Sequence, residues 1–130
     1  MNDKNCYPVA LVLDPHFGDK LISLSKQMPV WIVDTQNNQS EATKIWQKNS
    51  DLSLFKSVTS FKVSDKESNL DTCLRIVSDI ELHHGVSSSS NPYNIMYIIG
   101  LDLSEDLKSE LSKFGFHEFE ETDSGFKAKK

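Results

Sequence analysis

Arginine is almost missing from this chain: Arg75 stands alone among 14 basic residues, and the formal charge is −5. Nucleic-acid surfaces need positive charge, and arginine makes the two-pronged phosphate and guanine contacts that lysine makes poorly. No nucleic-acid partner is expected. Cysteine is equally scarce. Cys6 and Cys73 lie far apart, without the paired spacing of a metal knuckle or redox motif. Cys73 falls on an apolar helical stripe, where a thiol packs as a small hydrophobe, and Cys6 sits in the N-terminal lead-in.

Long apolar runs are absent too. None approaches the ~20 residues that span a bilayer, so no membrane contact is expected. The opening "MNDKNCYPVALVLDPHFG" has a short apolar core with Asp3 ahead of it, unlike a secretory signal. The chain is read as cytoplasmic, and the acceptor-like "NQS" at Asn38 to Ser40 then has no glycosylation meaning. The glycines form no phosphate loop or dinucleotide fingerprint, and neither a GxSxG elbow nor an HExxH occurs. No cofactor is expected.

What is present is a regular alternation. "VALVL" (9–13), "VWIV" (30–33) and "YNIMYII" (93–99) are continuous apolar runs, as in strands covered on both faces. "VTSFKV" (58–63) alternates and is placed nearer an edge. Between the strands the period becomes helical. Phe17, Leu21, Leu24 and Met28 form one stripe, and Ala42, Ile45, Trp46 and Asn49 a shorter one. The cleanest stripe is Leu70, Cys73, Leu74, Val77 and Ile80, with Gly85 placed to end it. Leu103, Leu107, Leu111 and Phe114 make the last, ended by Gly115.

The pattern predicts one α/β domain over residues 1–130: a single, mainly parallel sheet flanked by four helices, with a C-terminal antiparallel β-hairpin at an edge. Residues 1–7 are a lead-in, 86–92 a serine-rich connector, and 116–130 the hairpin with a basic tail. Asp123-Ser124-Gly125 is read as its turn, with the glycine left-handed. In length and alternation the chain resembles response-regulator receivers, with Asp14 after the first strand and, loosely, Asp65 after the third. It lacks their adjacent acidic pair and the lysine after a fifth strand.

In an open parallel sheet, ligands sit beyond the carboxyl ends of the strands. Asp14, Asp34 and Asp102 follow three of the predicted strands, with His16 and Thr35 beside them. Such a rim suits a small ligand or a hard divalent cation. The same residues also suit helix capping. Asp14-Pro15 has the form of an N-cap followed by proline at the first helical position. Asn38 with Glu41, and Ser68 with Asp71, resemble capping boxes, while Ser104 caps the last helix. Gly18 would weaken a helix begun at Pro15, which leaves open that "DPHFG" is a loop with an exposed imidazole. Asp79, Glu81, His83 and His84 close the third helix. Asp79 and His83, four apart, could share a face as helical metal ligands do, whereas a histidine in the last turn also interacts well with the helix's negative end.

Eight acidic residues and two lysines fill the stretch from Asp102 to Asp123. Phe116, Phe119 and Phe126, interleaved with Glu120 and Glu121, form a candidate partner surface, or else a solvated edge whose charges deter aggregation. The composition points to a non-catalytic binding domain acting through a protein partner. A metal-dependent phosphoryl-transfer or hydrolytic enzyme built on the rim carboxylates is one alternative, and a small-molecule sensor is another.

Overall fold

A computed structural model of the chain describes residues 8–18, 20–35, 38–48, 58–87 and 94–130, without the side chains of 81–87. Cys6 in the lead-in, connector residues 88–92 and the side chains of His83 and His84 lie outside the described residues. The elements follow in the order β1 (Pro8–Val12), α1 (Leu21–Gln27), β2 (Val30–Thr35), α2 (Glu41–Lys48) and β3 (Val58–Val63). They continue with α3 (Asn69–Ser87), β4 (Ile95–Ile99), α4 (Glu105–Ser112), β5 (Glu118–Glu121) and β6 (Gly125–Lys129).

These strands make one six-stranded mixed sheet in the order β3-β2-β1-β4-β6-β5. β1 is parallel to both β2 and β4, and β2 is parallel to β3. β6 runs antiparallel between β4 and β5. The expected α/β architecture with its terminal antiparallel pair is present. The receiver resemblance does not extend to topology, since receivers use the order 2-1-3-4-5 whereas here β1 lies between β2 and β4.

β1 reads as an unbroken apolar run because both its faces are covered. Val9, Leu11 and Leu13 point to one side, with Cys73, Ile76, Val77 and Ile80 of α3 and Leu107 and Leu111 of α4. Ala10 and Val12 point to the other, with Leu21 and Met28 at α1 and Ala42 of α2. The helices therefore form two layers, α1 and α2 on one face, α3 and α4 on the other. β3 lies at the edge, as its alternation predicts, and β5 at the opposite edge exposes Glu118, Glu120 and Glu121. Charges along an edge strand discourage pairing with another chain.

The helix ends are where sequence and structure part. α1 begins at Leu21, and Lys20 before it makes no side-chain cap, so Asp14-Pro15 starts a loop and not a helix. At α2 the capping oxygen is that of Ser40, which accepts from Thr43 N at 3.2 Å; Asn38 lies further back in the loop. Ser68 and Ser104 cap α3 and α4 as expected, accepting from Asp71 N and Leu107 N. Gly85 does not end α3, which continues to Ser87. After α4, Gly115 has φ of 100°, with Gly115 N bonded to Ser112 O and Phe116 N to Leu111 O. Phe116 and Leu111 then pack together in the core, a Schellman ending. Gly125, expected to be left-handed, is extended within β6 and lies tight against the Ile98 carbonyl of β4.

Gly100 follows β4 where the two halves of the sheet meet. Its φ is 96°, and a Cβ there would lie 2.5 Å from Asp14 N and 2.8 Å from Asp14 Cβ. Gly100→Ala should therefore destabilise the fold by at least about 2 kcal/mol, combining backbone strain with overlap. Urea unfolding measures this, and an unchanged midpoint would show that the seam is looser than described.

Burial pushes the Cys73 thiol up to about 12 from an ordinary 9.0. The unfolded chain releases that proton at lower pH than the folded one, so stability present below pH 9 is lost as pH rises toward 12. In a Cys6→Ser background the parent should lose stability between pH 9 and 11 more steeply than Cys73→Ala does. Parallel unfolding curves over that range would contradict the assignment.

Candidate functional site

The stretch "DPHFG" is a loop held by its own backbone. Asp14 Oδ1 accepts from His16 N at 2.9 Å, and Asp14 O accepts from Phe17 N at 3.2 Å. Pro15 O then accepts from Glu41 N at 2.8 Å, which ties the loop to the start of α2. Gly18 lies against the same helix, where a Cβ would meet Ile45 Cδ1 at 2.8 Å. The His16 side chain is exposed. Asp14 thus orders a turn, while its backbone fills the place beside Gly100.

That contact decides what happens at the usual ligand crevice. In open α/β sheets the crevice opens where two neighbouring strands send their connections to opposite faces. Here those strands are β1, leading to α1, and β4, leading to α4. Leu13 N donates to Ile99 O at 2.8 Å and the Asp14 backbone lies against Gly100, so backbone closes the seam. Gly100 N donates to Ser124 O at 2.9 Å on the β6 side of β4.

Asp34 is 3% exposed and faces α2. Its Oδ1 accepts from Ser40 N at 2.8 Å and from Thr43 Oγ1 at 2.8 Å, and its Oδ2 accepts from Ser60 Oγ at 3.1 Å. Ser40 Oγ donates in turn to Thr43 Oγ1 at 3.1 Å. This carboxylate fastens the β2–α2 loop, the cap of α2 and β3 together. Thr35 alternates to the opposite face. Its backbone N donates to Asn38 O, and its Oγ1 accepts from Asn38 N at 3.1 Å.

The five predicted rim residues therefore do not converge. β1 and β2 are parallel, as required, but Asp14 is turned into its own loop and Asp34 is fully engaged. Asp102 is exposed on the β4–α4 connection, across the closed seam, in a hollow it shares with Glu121 and Asp123. Among the described residues no three His, Cys, Asp or Glu side chains gather as a metal site.

The predicted partner surface is also redistributed. Phe116 and Phe126 are 0% exposed and belong to the core beneath α3 and α4. The reason is register: Phe126 pairs with Ile98, and opposed residues share a face, here the covered one. Phe119 is half-buried against the same core. Glu120 is exposed and pairs with Lys127 at 3.4 Å, and Glu121 is exposed beside Asp102.

Two features were not foreseen from the sequence. The first is a cleft of about 330 Å³ at the carboxyl ends of β1, β2 and β3. Leu13, Val33 and Val63 form its floor, one from each strand end. Thr35, Asn38 and Gln39 wall it on one side, and Glu67, Asn69 and Thr72 on the other. The second is a groove of about 430 Å³ between α1 and the sheet, with Phe17, Leu24, Met28, Tyr97 and Ile99 among its lining. Both join residues far apart in sequence. A regular spacing gives no sign of them.

Comparisons with protein-family models, with curated proteins and with solved structures find no match. The site rests on its geometry alone.

The Asp34 network has a measurable consequence. Asp34→Ala leaves the Ser40 N–H and the Ser60 and Thr43 hydroxyls without their acceptor, which should cost about 2–4 kcal/mol. Asp34→Asn, retaining one acceptor oxygen, should cost less. Asp102→Ala, an exposed change, should stay within about 0.5 kcal/mol. Urea midpoints compare the three. Equal midpoints for Asp34→Ala and Asp102→Ala would mean that Asp34 holds nothing together.

Proposed function

We propose that this is a small cytoplasmic, non-catalytic binding domain that acts through a protein partner, which lays an amphipathic helix beside α1. The observation that carries this reading is the uneven cover of the sheet. On the α3 and α4 side, the helices reach from β1 across β4 to β6. On the other side, α1 and α2 pack over β1, β2 and the end of β4 at Ile99, and among the described residues the core of that layer takes none from β6 or β5.

The bare surface follows from strand register. Tyr97 opposes Lys127, Ile95 opposes Lys129, and Glu120 and Glu118 oppose the same two lysines from β5. Lys127 reaches both ways, 5.8 Å from the Tyr97 ring centre and 3.4 Å from Glu120. Next to this polar sheet runs the apolar groove along α1, whose lining includes Lys20 just before the helix and Asp123 in the β5–β6 turn. Sheets of this kind bury their faces against helices, and a partner helix beside α1 would extend that cover. An apolar stripe flanked by charges of both signs complements that lining.

No described helix is long and apolar enough to cross a membrane. Removing residues 116–130 is not a usable test, because Phe116 and Phe126 would leave the core with them. A photo-crosslinking phenylalanine analogue at Tyr97, expressed in the native cell, should yield a discrete adduct with another protein. Leu24→Glu should abolish that adduct while the fold, checked by circular dichroism, persists. No adduct, or adducts only with other copies of this chain, overturns the reading.

A further inference from the structure

The cleft at the ends of β1, β2 and β3 lies on the α3 side of the sheet, away from the bare face, so what it holds is a separate question. Hydrogen bonds hold its described walls. The Asp34 carboxylate accepts from Ser40 N, and Thr35 and Asn38 bond to each other on one side. Glu67 N donates to Ser64 O at 3.1 Å, and Glu67 Oε2 accepts from Thr72 Oγ1 at 3.0 Å, fixing the other. Preformed clefts of roughly 300–1,000 Å³ with an apolar floor and a few placed polar groups are the usual form of small-molecule sites. The position, beyond the carboxyl ends of parallel strands, is also the usual one for this architecture.

The lining selects the ligand. Among the described residues no lysine, arginine or histidine lines the cleft. Its one carboxylate, on Glu67, is taken up by Thr72 and by an ion pair with Arg75. A phosphate or carboxylate would thus meet no cation among the described lining residues, Arg75 behind them being engaged by Glu67, and a cation would compete with Arg75. At the mouth stand the exposed carboxamides of Asn38, Gln39 and Asn69, each offering a donor and an acceptor. Beneath them Leu13, Val33 and Val63 present a purely aliphatic surface. A flat ring can rest on such a floor while an amide-like edge meets the carboxamides.

We propose that this cleft binds a neutral, planar compound with an amide-type edge, of the class of free nucleobases. The test is amide chemical-shift mapping of the full chain with uracil and adenine at millimolar concentration. Uridine monophosphate and glucose serve as charged and polyol comparators. At least one base should shift Thr35, Asn38, Val63 and Thr72 together, and the nucleotide should bind no tighter than the base. Asn38→Ala and Asn69→Ala, both at exposed positions, should each weaken binding at least several-fold without altering the rest of the spectrum. The proposal is overturned if neither base moves these resonances, if glucose alone does, or if the nucleotide binds more tightly than the base.

Discussion

The two strands at the centre of this sheet meet without room for a side chain between them. β1 and β4 are parallel neighbours whose connections leave toward opposite faces, and at their carboxyl ends the backbone of Asp14 lies against Gly100. The rest of the molecule is arranged around that contact. It follows the five residue pairs that set the register of β4 on β1, lies where the chain leaves for opposite layers, and seals the place where sheets of this order generally open. The hollows that remain lie to either side of the seam: the cleft over β1, β2 and β3, and the groove beside α1.

Asp34 does comparable work one strand away. A carboxylate at the end of a parallel strand is commonly a ligand group, but this one points into the layer of α2 and is saturated by Ser40, Thr43 and Ser60. Burying a charge is tolerable only when its hydrogen-bonding capacity is filled, and that condition is met. The effect is to tie Ser40 and the start of α2 to the ends of β2 and β3. Thr35, the next residue, lines the cleft, so a structural residue and a cleft-lining residue stand side by side on opposite faces of one strand.

Much of this was legible in the sequence, because burial on two faces leaves an unmistakable apolar run and burial on one leaves a period. β1, β2 and β4 were readable in the first way, and the stripe of α3, including Cys73, in the second. The start of α1 was not, because aspartate followed by proline serves equally as a helix cap and as an Asx turn; only the contact of Gly18 with α2 separates the two. The Phe-Glu alternation of the terminal hairpin was readable as a strand but not as to which face met the core, since that depends on β6 pairing with β4. The cleft had no signature, because its floor takes a single residue from each of three strand ends.

The insertion of β6 between β4 and β5 bears on how the sheet is completed as the chain is made. β5 leaves the ribosome first, yet it has nothing to pair with until β6 follows and bridges it to β4. Until then β4 carries an open row of peptide groups, beside an apolar layer that still lacks Phe126 and Ala128. Such a half-built sheet is the form most exposed to pairing with another nascent copy. The acidic residues of β5, already synthesised at that moment, put like charges on every such copy.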